Sequence, residues 1–164
     1  MKLLGARRRG WTYPDLIIAM GILGVLVTLG TMSLFKARFS TYESTQIDNL
    51  AADMALQQTR AMTGDVAGAG TVTAYGIYFQ SDRYTLFKGN SYTAGNPDNV
   101  TVTLNPAFTF SSIGFPSGQL IYASKSGAFA NYVSGQNTVV LRNEGSQATQ
   151  TLHVNSYGVL EQVD

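Results

Sequence analysis

Arg7-Arg8-Arg9-Gly10-Trp11-Thr12-Tyr13-Pro14-Asp15, followed by Leu16 to Phe35 without one charged side chain, is the stretch on which the reading of this chain turns. A basic cluster stops at a glycine. An uncharged run then begins, with a single carboxylate, Asp15, at its mouth. Twenty such residues at ~1.5 Å each give ~30 Å of helix, the thickness of a bilayer's hydrocarbon core. The run therefore predicts a transmembrane segment over about 16–35. Asp15 is the anomaly, because a carboxylate at mid-depth costs roughly 2.5 kcal/mol or more and usually has a partner. Pro14 suits the first turn of a helix, where its missing N–H has no partner to lose.

The arrangement resembles the class III signal of type IV pilins and pseudopilins. Precursors of that family carry a short basic leader ending in Gly, then an aromatic residue, with a carboxylate in fifth place after the cut. The resemblance implies cleavage between Gly10 and Trp11, with Arg7, Arg8 and Arg9 holding the leader at the cytoplasmic face. It implies a prepilin peptidase as the partner that cuts there and methylates the new amine of Trp11. Asp15 becomes the fifth residue and an assembly determinant, pairing with a neighbouring subunit's terminal amine. The family usually has Phe and Glu where this chain has Trp11 and Asp15.

An ordinary secretory signal places its cleavage site after the apolar region. Here the small residue precedes it, so the apolar segment is expected to survive processing. Basic residues lie before the run, and Lys36 and Arg38 follow it closely. The positive-inside rule weakly favours a cytoplasmic leader and an exported remainder, and the resemblance implies single-pass placement in the inner membrane. A plain uncleaved signal anchor is the alternative.

Composition limits the chemistry. The 164 residues fit one domain plus a membrane segment, and the absence of cysteine excludes disulfides and thiol chemistry. The chain carries +1 in all; beyond residue 10 it has 7 basic against 10 acidic side chains, and from Ser40 onward 5 against 9, a net of −4. A nucleic-acid binder normally needs a basic footprint, so DNA is a possible but disfavoured partner.

Residues 36–62 contain neither Gly nor Pro, and Phe35, Phe39, Tyr42, Ile47, Leu50, Met54 and Ala61 recur at roughly helical spacing. Gly64 reads as the stop. The expectation is one helix over 11–62, apolar on all sides through 35 and amphipathic over 36–62. Gly21, Gly24 and Gly30 are consistent with close helix packing or with a place where the helix unwinds. After Gly64 the composition shifts to Thr, Ser, Gly, Asn, Tyr and Val. Tyr75-Ile77-Phe79, Tyr84–Phe87, Val100–Leu104, Phe108–Phe110, Asn137–Arg142, Thr151–Val154 and Val159–Glu161 read as short strands separated by turns. Seven or so such strands indicate an antiparallel β domain over 63–164, one face of which covers residues 39–61.

That order narrows the resemblance to the GspH/FimT group of minor pilins and pseudopilins. The carrying segments are LAADMALQQTRAMTGD, YGIYFQSDRYTLFK, IGFPSG, TVVLRN and TLHVNSYGVLEQ. The fold class so implied is α+β and pilin-like, a long N-terminal helix with a transmembrane first half packed on a C-terminal antiparallel β domain. The implied function is a structural subunit of a type IV pilus or type II secretion pseudopilus, with other pilin or pseudopilin subunits and, before assembly, inner-membrane lipid as partners. A DNA-capturing competence pilin is the alternative within the group.

No enzyme is expected. The one histidine, His153, sits in an alternating strand without a visible catalytic set around it. Transition-metal ligation is not expected; Asn96, Asp98 and Asn99 offer oxygens for calcium only at a weak spacing. No phosphate loop is present, and no cofactor is expected. Tyr75, Tyr78, Tyr84 and Tyr92 could stack on bases or sugars, or pack across a sheet.

Overall fold

A computed structural model of the chain describes the backbone of residues 13–64 and 73–163, and the side chains of 13–27, 45–64 and 73–161. A helix, α1, runs Tyr13–Thr63. Eight strands follow: β1 Tyr75–Phe79, β2 Arg83–Lys88, β3 Val100–Thr103, β4 Phe108–Ile113, β5 Gln119–Tyr122, β6 Thr138–Asn143, β7 Thr149–Val154 and β8 Leu160–Val163. They form two four-stranded sheets, β3-β2-β1-β5 and β4-β6-β7-β8, with antiparallel pairing throughout.

The expected architecture is corrected on three counts. First, among the described residues no helix is long and apolar enough to cross a membrane. The expected transmembrane half, and with it the single-pass placement in the inner membrane, is overturned. Second, the chain divides into two compact units, 1–42 and 43–164. A long helix packed along its length on a β domain is therefore not what is found; only residues 43–63 of α1 belong with the strands. Third, the strands make two sheets rather than one surface laid over the helix.

Within 43–164 the sequence explains the packing. Ile47, Leu50, Met54, Gln57 and Ala61 fall three and four apart, so they share one helix face. Leu50, Met54 and Ala61 are buried in a core cluster with Tyr75, Ile77, Phe79, Tyr84, Leu86, Leu120 and Tyr122 of one sheet and Phe108, Phe110, Val139, Leu141, Leu152 and Val154 of the other. Phe79 and Phe110 meet edge to face across the sheets, with ring centroids 5.4 Å apart and planes at 82°. Tyr84 donates its hydroxyl to Asp53 Oδ2 at 2.6 Å, a tie from β2 back to α1. α1 stops where Gly64 takes φ 79° and donates to Arg60 O at 2.9 Å. That left-handed turn suits a residue without a Cβ.

β5 is not among the strands expected from the sequence. Its four residues follow the tight turn at Pro116–Gly118, where Ser117 and Gly118 both have positive φ. Leu120 and Tyr122 alternate inward and are fully buried. β5 pairs with β1, whereas β4, next to it in sequence, pairs with β6 of the other sheet.

Candidate functional site

The sequence singles out the N-terminal region. Arg7, Arg8, Arg9, Gly10 and Trp11 lie outside the described residues. Asp15 lies in the first turn of α1 and is exposed. A carboxylate there complements the partial positive charge of the helix start, worth ~0.3–1 kcal/mol. Beyond it, Leu16, Ile17, Ile18, Met20, Ile22, Leu23, Val25, Leu26 and Val27 all stay exposed, Ile18 at 61% and Met20 at 67%. Successive residues on a helix point ~100° apart, so this apolar surface is not a single stripe. It surrounds the helix.

The other candidates resolve into structural roles. Tyr75 and Tyr84 are buried at 4% and 2% and belong to the core, so neither is a stacking platform. Tyr78 and Tyr92 stack on each other, centroids 4.2 Å apart and planes at 14°. Asn96 Oδ1 accepts from the Asp98 backbone N–H at 3.0 Å, and Asn99 Nδ2 donates to Thr93 O at 2.9 Å. Their side chains thus fold the loop as an Asx turn does. His153 lies in β7, opposite Thr138 and Gln162. Among the described residues no three His, Cys, Asp or Glu side chains cluster as a metal site would need.

The structure brings together a set that the sequence reading does not. Gln57 and Arg60, three apart on α1, meet Tyr75, Leu86, Phe87, Lys88, Asp98 and Val100 around a cleft of about 120 Å³. Tyr75 is registered opposite Lys88, and Leu86 opposite Val100. Directly opposed residues on paired strands share a sheet face, and so do residues two apart on one strand, such as Leu86 and Lys88. One face of β1–β2–β3 therefore makes the floor, and the last turns of α1 make a wall. The Gln57 Nε2 donates to Gly76 O at 3.1 Å and ties the two together.

Two of the residues that line this cleft carry a buried polar atom without a hydrogen-bond partner among the described residues: Gln57 Oε1, on a side chain 1% exposed, and the Tyr75 hydroxyl. Each such orphan costs about 1–3 kcal/mol. Since Nε2 must be the atom facing the Gly76 carbonyl, the amide orientation is set by chemistry, and Oε1 is the free acceptor. Two cations, Arg60 and Lys88, border the same space, and neither has an ion-pair partner among the described residues. The signal that could have found this cleft is Gln57, a polar residue at the fourth position of the apolar series Ile47, Leu50, Met54, Gln57, Ala61. What no local reading supplies is its juxtaposition with Lys88.

No family model matches the chain, and neither a curated protein nor a solved structure does.

Proposed function

We propose that the chain is a non-catalytic structural subunit of a type IV pilus-like or type II secretion-type filament, assembled with like subunits through the N-terminal part of α1. The observation that carries this reading is the run of exposed apolar side chains from Leu16 to Val27, all round the helix and headed by Asp15. A helix apolar on every side needs cover on every side, and a filament core of like helices provides it from several neighbours at once. At about 25 cal/mol per Å² of apolar surface removed from water, such packing drives association more strongly than any single polar contact. Asp15 then sets the register. Once a prepilin peptidase has cut between Gly10 and Trp11, a neighbour's Trp11 amine offers a charge partner in the low-dielectric core. An ion pair of that kind contributes specificity more than net stability.

The test is twofold. Mass spectrometry of the mature protein should find an N-terminus at Trp11, N-methylated; protein still beginning at Met1 would overturn the reading. Asp15→Ala should reduce incorporation into filaments at least about tenfold, the scale of a lost charge partner, with the folded state of residues 43–164 unchanged. The net −4 from Ser40 onward weighs against a DNA-capturing role.

A further inference from the structure

We infer that the cleft between the end of α1 and the β1–β2–β3 face binds a small carboxylic acid bearing a hydrogen-bond donor on its α carbon, an α-amino or α-hydroxy acid. This rests on the described residues of 57–64 and 73–100 and stands apart from the filament reading.

The chemistry of the lining sets the class. Arg60 and Lys88 are donors with positive charge, so one end of the ligand must be anionic. The Tyr75 hydroxyl, registered directly opposite Lys88, adds a donor on the same face. Guanidinium, ammonium and phenol together match a carboxylate, whose two oxygens accept several hydrogen bonds. Gln57 Oε1 can only accept, so the ligand must also carry an N–H or O–H. Gln57, Arg60, Tyr75 and Lys88 all line one small cleft, so that donor must lie near the carboxylate, which points to the α carbon. Asp98 at the rim favours an ammonium over a hydroxyl. Leu86 and Val100, paired across β2 and β3, leave an apolar wall for a short side chain.

Size agrees. The cleft of about 120 Å³ is a little smaller than the ~150 Å³ cavity that takes benzene. Alanine and lactate have as many heavy atoms as benzene in a more compact shape. A larger ligand would have to project past Asp98 and Val100, both exposed.

The buried orphans are what separate this cleft from a chance surface dimple. Buried polar groups in folded proteins are satisfied in the great majority of cases. Two on one cleft, both on side chains more than nine-tenths buried and beside two cations without ion-pair partners among the described residues, form a set that one ligand can satisfy.

The experiment is a titration of the full-length ¹⁵N-labelled protein with L-alanine, L-lactate and propionate, read by amide chemical shifts. Saturable shifts are expected at the Gln57 side-chain amide and the Tyr75 and Lys88 backbone amides with L-alanine or L-lactate. Propionate has the same carboxylate without the α donor, and should bind about tenfold more weakly or less, the scale of one hydrogen bond to a buried group. Lys88→Gln and Arg60→Gln should each weaken binding about tenfold or more. Tyr75→Phe removes only the hydroxyl. It should weaken binding while raising the melting temperature of the unliganded protein, because an orphan is removed. No saturable shift with either L-alanine or L-lactate at high millimolar concentration would overturn the inference. So would propionate binding as tightly as both, or charge-removed variants binding like the parent. Should Tyr75→Phe fail to fold, the Lys88 and Arg60 variants decide the matter alone.

Discussion

At the residue scale, small side chains hold the β unit together as firmly as large ones. A Cβ added at Gly76 would lie 2.4 Å from Phe87 Cζ and 2.8 Å from the carbonyl oxygen of Leu120. The second neighbour is backbone of the paired strand β5, so it cannot swing aside. Gly76 also offers the carbonyl that holds Gln57. Gly76→Ala should destabilise by about 1–3 kcal/mol, the cost of overpacking a filled core. A lowered urea midpoint checks this, and an unchanged midpoint would refute it. Gly158 is held by a similar constraint: its φ is +80°, and a Cβ there would lie 2.5 Å from Tyr122 Cε1. Glycines at these positions are legible in the sequence as turn or strand residues. That β5 and Tyr122 are the groups pressing on them is not, because both arrive from distant parts of the chain.

At the element scale, α1 changes character along its length. Over 16–27 it exposes apolar side chains on all sides; over 45–63 it has one buried face. The two faces of the second part respond differently to truncation. Met54→Ala should cost about 2–5 kcal/mol, since Met54 is buried in the core cluster. Leu56→Ala, at a position 42% exposed, should change stability by only about 0.5 kcal/mol. Equal effects from the two would mean that residues 45–63 do not pack by this face. The three- and four-residue spacing of Leu50, Met54 and Ala61 makes this face readable from sequence. Gln57 interrupts it, and the reason appears only in its bond to Gly76 and its place on the cleft. The N-terminal run read as membrane-spanning shows the limit of counting uncharged residues. Length and lack of charge describe a surface that needs cover, and they do not say what covers it.

At the scale of the whole molecule, stability should fall in alkali. Burial pushes the Tyr122 hydroxyl well above its ordinary value of 10.0, and burial together with the hydrogen bond to Asp53 does the same for Tyr84. In the unfolded chain both phenols ionise near pH 10; in the folded chain they stay protonated. Their contribution is therefore complete below about pH 10 and is lost as pH rises above it. The urea midpoint should hold steady from about pH 7 to 9 and drop by pH 11, and Tyr122→Phe should flatten the drop. A midpoint independent of pH across that window would show that these phenols ionise as freely folded as unfolded.

The chain's own order determined local matters: the helix stop at Gly64, the turns at Pro116–Gly118 and Asn155–Gly158, the inward alternation of Tyr75, Ile77 and Phe79, and a charge balance poor in basic side chains from Ser40 onward. These depend on φ preference, side-chain period and composition, which act within a few residues. Only the tertiary structure decided that β4 and β5, neighbours in sequence, belong to different sheets, that Tyr84 is a core residue, and that Gln57 and Lys88 share a cleft. The physical reason is that strand pairing and burial are won by the total apolar surface removed from water, a sum over residues far apart in the chain that no short window contains.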